Sequence, residues 1–226
     1  STPIIPGDEY WPMLRQICDR YGVVLIADEV INGFGRTGKM FAMEHFGVVP
    51  DIMTMAKGIT SSYLPLANVI VTPQISDAFA GGDNIFRQAL TFGGHPVTAA
   101  VALANIEIIE KEGLVENSEK VGAYFLEQLN SLKEDHKMIG DVRGIGLLVG
   151  LEFVKDRETK ASFPAEAQLG EKLTAAFREE RLILMGGNGR TVGMGPPLCM
   201  TPSDVDDVVA RMDRALGNVE KTLTIS

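Results

Sequence analysis

The stretch Val23-Val24-Leu25-Ile26-Ala27-Asp28-Glu29 decides the fold: five apolar residues, three of them β-branched, end abruptly at two carboxylates. An apolar run without alternation suits a strand of a parallel sheet buried on both faces, because crossover connections cover such sheets above and below. Upstream, Trp11, Leu14, Cys18 and Tyr21 recur at helical spacing between Asp8 and Tyr21, and Gly22 is a natural stop. Downstream, the apolar segment Ile52 to Met55 leads into Ala56-Lys57-Gly58, and a third segment, Leu66 to Val71, comes after a turn-like Ser-Ser-Tyr. A helix followed by such strands predicts an α/β layer.

Past Pro96 the texture becomes helical through Val101, Ala104 and Ile108, closing near Gly113, and a further helix reads through Val121, Phe125 and Leu132. Leu147, Val149, Leu151 and Phe153 then alternate as a strand with one buried face. A helix predicted over Ala165 to Glu180 precedes Leu182-Ile183-Leu184. The last helix has the clearest start: Thr201 as cap, Pro202 at the first helical position and Asp204 three residues after the cap, with Val205, Val208, Met212 and Leu216 as its buried stripe. No internal repeat or low-complexity linker is visible. The change of texture near residue 110 divides the chain into 1–110 and a small α/β domain, 111–226.

Composition narrows the function. A net charge of −9 opposes a nucleic-acid surface, which needs clustered Lys and Arg, and favours a small-molecule partner. Cys18 and Cys199 lie far apart without metal-ligand spacing, which suits a reducing, cytoplasmic setting and no metal. No apolar run approaches a membrane span, and residues 1–8 lack the basic and apolar regions of a signal peptide. The expectation is a soluble, untargeted protein without membrane contacts.

Gly33, Gly35 and Gly38 match the dinucleotide fingerprint, and together with Lys39 they approach the phosphate-loop pattern. Both fail on context. Met40 stands where a phosphate loop needs Ser or Thr for magnesium, and only Met40 to Phe46 is available for the long helix that a dinucleotide site requires. A tight loop is the expected reading. Asp28 is more informative, because ligands of open α/β sheets lie at the carboxyl ends of strands. Lys57 likewise comes after an apolar segment, and Gly58 removes bulk beside it. An isolated Asp is as often a cap or ion-pair partner, and most lysines are solvated. At the ends of neighbouring strands, however, the two could converge on one pocket. A pyridine-ring cofactor becomes an electron sink when a carboxylate keeps its ring nitrogen protonated, and a lysine amine can carry its aldehyde as a Schiff base.

Tyr21 to Gly38 (YGVVLIADEVINGFGRTG), Pro50-Asp51-Ile52, Ala56-Lys57-Gly58 and Thr91-Phe92-Gly93-Gly94-His95-Pro96 together resemble the class III aminotransferases. The likeness continues through Asp141-Val142-Arg143-Gly144-Ile145-Gly146 and Pro196-Pro197-Leu198, covering nearly the whole chain. Tyr63-Leu64-Pro65-Leu66 leans toward the ω-amino acid and amine:pyruvate branch. The resemblance implies the aspartate aminotransferase-like α/β fold, fold type I. Residues 1–110 would be the C-terminal part of the large domain that binds pyridoxal phosphate, and 111–226 the small domain.

By the same resemblance, Asp28 pairs with the cofactor ring nitrogen, Val30 packs on the ring face, Lys57 holds the Schiff base and Thr91 binds the phosphate. In this family the threonine reaches into the partner subunit's site, which implies a homodimer with shared sites. His95 reads as structural. The implied reaction takes an amino group from an amine donor, with Lys57 in a dry pocket moving the proton, and passes it to a keto-acid acceptor, pyruvate. Family members are roughly twice this long, so the N-terminal half of the same enzyme is an expected partner. Relatives acting on α-carboxylates often place an arginine where Gly193 stands here. Arg190, in the glycine-rich stretch Gly186 to Gly195, is the candidate to swing in toward a substrate carboxylate, with Gly189 and Gly193 lending flexibility. An aminomutase or decarboxylase of the same fold, or a cofactor-binding fragment without turnover, would share Asp28 and Lys57.

Overall fold

In a computed structural model, residues 2–186 and 189–223 are described. They form two compact units. One runs Pro6–Val115; the other takes the chain from Glu116 onward together with the residues before Pro6. The division thus falls after Val115, beyond the change of texture near residue 110. The extra N-terminal segment is held by Arg143, which donates to Pro3 O at 3.0 Å and to Thr2 Oγ1 at 2.9 Å. No periodicity could reveal that tie.

The first unit opens with α1 (Tyr10–Tyr21), which stops at Gly22 in a left-handed conformation, φ 64°. Trp11, Leu14 and Cys18 pack with Leu25, Ala27, Met43 and Val48. The next strand is β1 (Ile26–Asp28), shorter than the predicted run. It pairs in parallel with β2 (Ile52–Met55), which pairs antiparallel with β3 (Asn68–Val71). The expectation of burial on both faces fails here. Leu25 and Ala27 are buried, but Val24 and Ile26 are 46% and 56% exposed, because the described residues of this unit supply no layer against that face. A short helix, α2 (Pro73–Asp77), and a longer one, α3 (Pro96–Lys111), complete the unit. Ala102 and Ile109 of α3 pack on Phe34, Met55 and Ile59, yet Leu103 on the same helix is 70% exposed. A helix apolar on more than one side normally lies inside a larger structure.

The second unit holds the larger core. Its elements are α4 (Leu114–Asp135, starting at the division), β4 (Ile139–Ile145), β5 (Leu148–Phe153), α5 (Leu169–Glu179), β6 (Met185–Gly186), β7 (Thr191–Met194) and α6 (Pro202–Glu220). The sheet order is β4-β5-β7-β6, antiparallel throughout. Phe125, Leu129 and Leu132 of α4 and Val205, Met212 and Leu216 of α6 bury against Leu147, Val149, Leu151 and Phe153. The cap of α6 forms as its sequence predicts: the Thr201 amide donates to Asp204 Oδ2 at 2.8 Å, and the Asp204 amide donates back to Thr201 Oγ1 at 3.3 Å. The helix predicted over 165–180 is instead a 3-10 turn, Ala165–Ala167, and α5, separated by Gln168 at φ 50°. Leu182 to Leu184 lie outside any strand.

At Gly122, α4 crosses the β4–β5 turn so closely that an added Cβ would overlap the Gly146 carbonyl group. Both neighbours are backbone, so no side chain can move aside. Gly122→Ala is therefore expected to destabilise the protein by about 3 kcal/mol, the upper range for overpacking. A urea melt with an unchanged midpoint would contradict this close approach.

Candidate active site

The site begins with strand register. β1 and β2 are parallel and Asp28 stands opposite Thr54, so the carboxyl ends of both strands open on one edge. Neighbouring strands lie about 4.8 Å apart. Asp28 closes β1 at that edge, and Lys57 comes after β2, past Met55 and Ala56. Two sequence candidates far apart in the chain are thus brought to adjacent strand ends.

Asp28 is held in place. Its Oδ1 accepts the Val30 amide at 3.0 Å and the Thr54 hydroxyl at 3.3 Å. Both bonds engage Oδ1, and among the described residues Oδ2 takes none, which leaves one anionic oxygen for a ligand donor. Val30, half-buried, enters the site through its amide at the start of the turn after β1. Below this edge, Glu29 is buried and its Oε1 accepts the Met43 amide at 2.9 Å. Burial pushes the Glu29 carboxyl above the ordinary carboxylate range, against the opposing pull of the Met43 and Ala42 amides. Adjacent carboxylates thus have different surroundings: period-two alternation leaves Asp28 in solvent and turns Glu29 into the interior.

The glycine motif is a tight loop. Phe34, Gly35 and Gly38 all have positive φ, and the Phe34 amide donates to Met40 O at 2.6 Å. The loop leads into a five-residue 3-10 turn, Ala42–Phe46, and no long helix. Its service is to the lysine instead. A Cβ on Gly58 would meet Phe34 Cβ at 3.2 Å and Gly33 O at 3.3 Å, so the glycine beside Lys57 lets its turn sit against the loop.

Lys57 takes φ 44°, left-handed for a non-glycine residue, and starts the 3-10 turn Lys57–Thr60. Its side chain is exposed. The described residues therefore do not enclose it in the dry pocket expected. Thr91 lies on a separate exposed turn closed by the Gly93 amide to Leu90 O at 2.9 Å. His95 Nδ1 accepts the Val97 amide at 3.3 Å and caps α3.

Arg190 belongs to the second unit, exposed just before β7, with its carbonyl accepting the Phe153 amide at 2.8 Å. Of the two glycines expected to lend flexibility, Gly193 lies in a paired strand, β7, opposite Gly150 and Met185. A Cβ on Gly189 would come within 2.8 Å of the Gly170 amide nitrogen. Gly187 and Asn188, part of the same glycine-rich stretch, lie outside the described residues.

Sequence reading missed Thr54 and Asn105. Thr54 carries a weak signal, a hydroxyl in an otherwise apolar strand. Asn105 carries a stronger one, a carboxamide amid the apolar residues of α3. No helix among the described residues is long and apolar enough to cross a membrane.

The Aminotransferase class-III family profile matches residues 3–216. A taurine–pyruvate aminotransferase from Bilophila wadsworthia is 44% identical over 229 residues, covering 96% of this chain and 50% of that protein. Among solved structures, an (S)-enantioselective ω-transaminase from Thermomicrobium roseum superposes with a TM-score of 0.91 at 43% identity, over 96% of this chain and 48% of its own. An amine transaminase from an uncultivated Pseudomonas species, solved in its PLP-bound form, superposes with a TM-score of 0.90 at 38% identity, over 95% and 49%. The chain therefore spans about half the length of the relatives it matches. With that match along nearly all its length, and with Asp28 and Lys57 at one strand edge, the chain belongs to the class III aminotransferases.

Proposed function

We propose that this chain is the lysine-bearing half of a pyridoxal-phosphate-dependent aminotransferase that moves an amino group from an ω-amino acid or amine to a keto acid, pyruvate. The observation that carries this reading is the β1–β2 register, which brings a carboxylate with an uncommitted oxygen to the strand edge from which the chain runs on, after Met55 and Ala56, to Lys57. The donor set fits the cofactor: an anionic oxygen suits a protonated pyridine nitrogen, and a primary amine suits an aldehyde. Bound there, pyridoxal phosphate supplies an aldehyde carbon that condenses with amines and a ring that withdraws electron density. Asp28 Oδ2 would accept the ring N–H and keep that nitrogen protonated, and Val30 would pack on the ring. Lys57 Nζ would hold the aldehyde as its covalent anchor and, once freed, would serve as the base that moves the donor's Cα proton.

The remaining walls come from the N-terminal half of the same enzyme. The exposure of large apolar side chains on β1, β3 and α3, at Ile26, Ile70 and Leu103, supports this, since apolar side chains are ordinarily covered. Thr91 serves the partner subunit's site in a homodimer, where it binds the phosphate, and the compartment is the cytoplasm. Arg190 pairs with the carboxylate of the keto acid; its planar guanidinium matches that group.

The test is amino transfer by the enzyme at family length, offered a panel of ω-amino acids and amines. Alanine should form from pyruvate, and faster than glutamate forms from 2-oxoglutarate. Arg190→Ala should raise KM for pyruvate by at least about tenfold while sparing the half-reaction with an uncharged amine. No transfer to either acceptor from any donor would overturn the proposed activity.

A further inference from the structure

Lys57 leaves β2 in a left-handed conformation, φ 44°, and the chain must then turn tightly through Gly58, Ile59 and Thr60. Left-handed backbone in a non-glycine residue persists only where the surroundings over-determine it. The turn's own bonds include the Ile59 amide to Ala56 O at 3.1 Å, Ser61 to Gly58 O at 3.2 Å and Ser62 to Lys57 O at 3.2 Å. A second set comes from α3. Asn105, buried beside Ala102 and Ile109, donates through Nδ2 to Gly58 O at 2.8 Å and to Ile59 O at 3.2 Å. Its Oδ1 accepts the Ser61 hydroxyl at 2.7 Å. One carboxamide thus uses both its donor group and its acceptor on three residues of the turn, a pattern a carboxylate or hydroxyl of similar size cannot supply.

We propose that Asn105 is the positioning residue for Lys57. It clamps the backbone just after the lysine, so that Nζ starts from one fixed root each time it holds, releases and recovers its partner carbon. This rests on the assignment of Lys57 made above. Asn105 does not touch the reacting atoms; it acts through the 57–61 backbone. The buried amide also has a reason to be there, since its side-chain bonds among the described residues all go to this turn and none to its own helix.

The test compares Asn105→Asp and Ser61→Ala with the unsubstituted enzyme at family length. Asn105→Asp removes the amide donors and sets oxygens against the Gly58 and Ile59 carbonyls; Ser61→Ala removes only the bond that orients the carboxamide, and keeps the proposal testable if the first variant folds poorly. Two readouts are taken: hydrogen exchange at the amides of Ile59, Ser61 and Ser62 in the cofactor-free protein, and the rate at which borohydride fixes added pyridoxal phosphate on Lys57. Exchange should quicken at these amides and not across β1 and β2. Fixation should slow about 10-fold to 100-fold for Asn105→Asp, the penalty of a reacting group loosely placed, and less for Ser61→Ala. Unchanged fixation in both variants, or exchange that quickens throughout the unit, would overturn the positioning role. Failure of the unsubstituted enzyme to fix the cofactor on Lys57 is a different result and would overturn the assignment of Lys57 itself.

Discussion

Lys57→Ala is expected to lower turnover by about 1,000-fold or more, because in the proposed reaction one side chain is both the covalent anchor and the proton shuttle. The fold should survive. The Lys57 side chain is exposed, and its backbone conformation is held by neighbouring residues, so unfolding midpoints of variant and parent should agree closely. Borohydride reduction of the parent with pyridoxal phosphate, and then peptide mapping, should label Lys57 alone. A label on Lys39 or Lys111 would sink the assignment, as would substantial turnover in Lys57→Ala.

Asp28→Asn keeps the shape of the side chain and removes its charge. The amide oxygen can still accept the Val30 amide and the Thr54 hydroxyl, so the turn after β1 should stay in place. The loss is the anionic oxygen that keeps a pyridine nitrogen protonated. Turnover is expected to fall by about 100-fold to 1,000-fold, the scale on which removal of one preorganised electrostatic contact acts. Binding of pyridoxal phosphate should weaken far less, since the proposed phosphate contacts do not involve Asp28. A near-normal rate would make Asp28 a residue that only anchors Val30 and Thr54.

Asp28 and Lys57 were readable because each ends an apolar run, and strand ends in open α/β sheets are where ligands lie. Thr54 and Asn105 were not. Each becomes part of the site through a partner distant in sequence: Thr54 through Asp28, and Asn105 through Gly58, Ile59 and Ser61. Arg190 was singled out by composition alone, and the pairing of Gly193 within β7 is something composition does not encode. The exposure of Lys57 has the same origin, because burial depends on what surrounds a residue in space and the described residues leave it uncovered.

The sequence by itself determined the elements whose signals are local. The cap of α6 at Thr201, Pro202 and Asp204 is complete within four residues, and α3 starts at Pro96 for the same kind of reason. The alternation from Leu147 to Phe153 marked the buried face of β5, since period two needs no partner to be visible. Only the tertiary structure decided the rest. β4 contains Gly140 and Gly144, and β7 contains Gly193; such strands are defined by their partners' backbones and not by their own side chains. Gln168 at φ 50° broke a pattern that reads as one helix. The faces of β1, uniform as a string of apolar residues, became unequal because burial depends on which layers cover a sheet, and that is a property of the assembled chain.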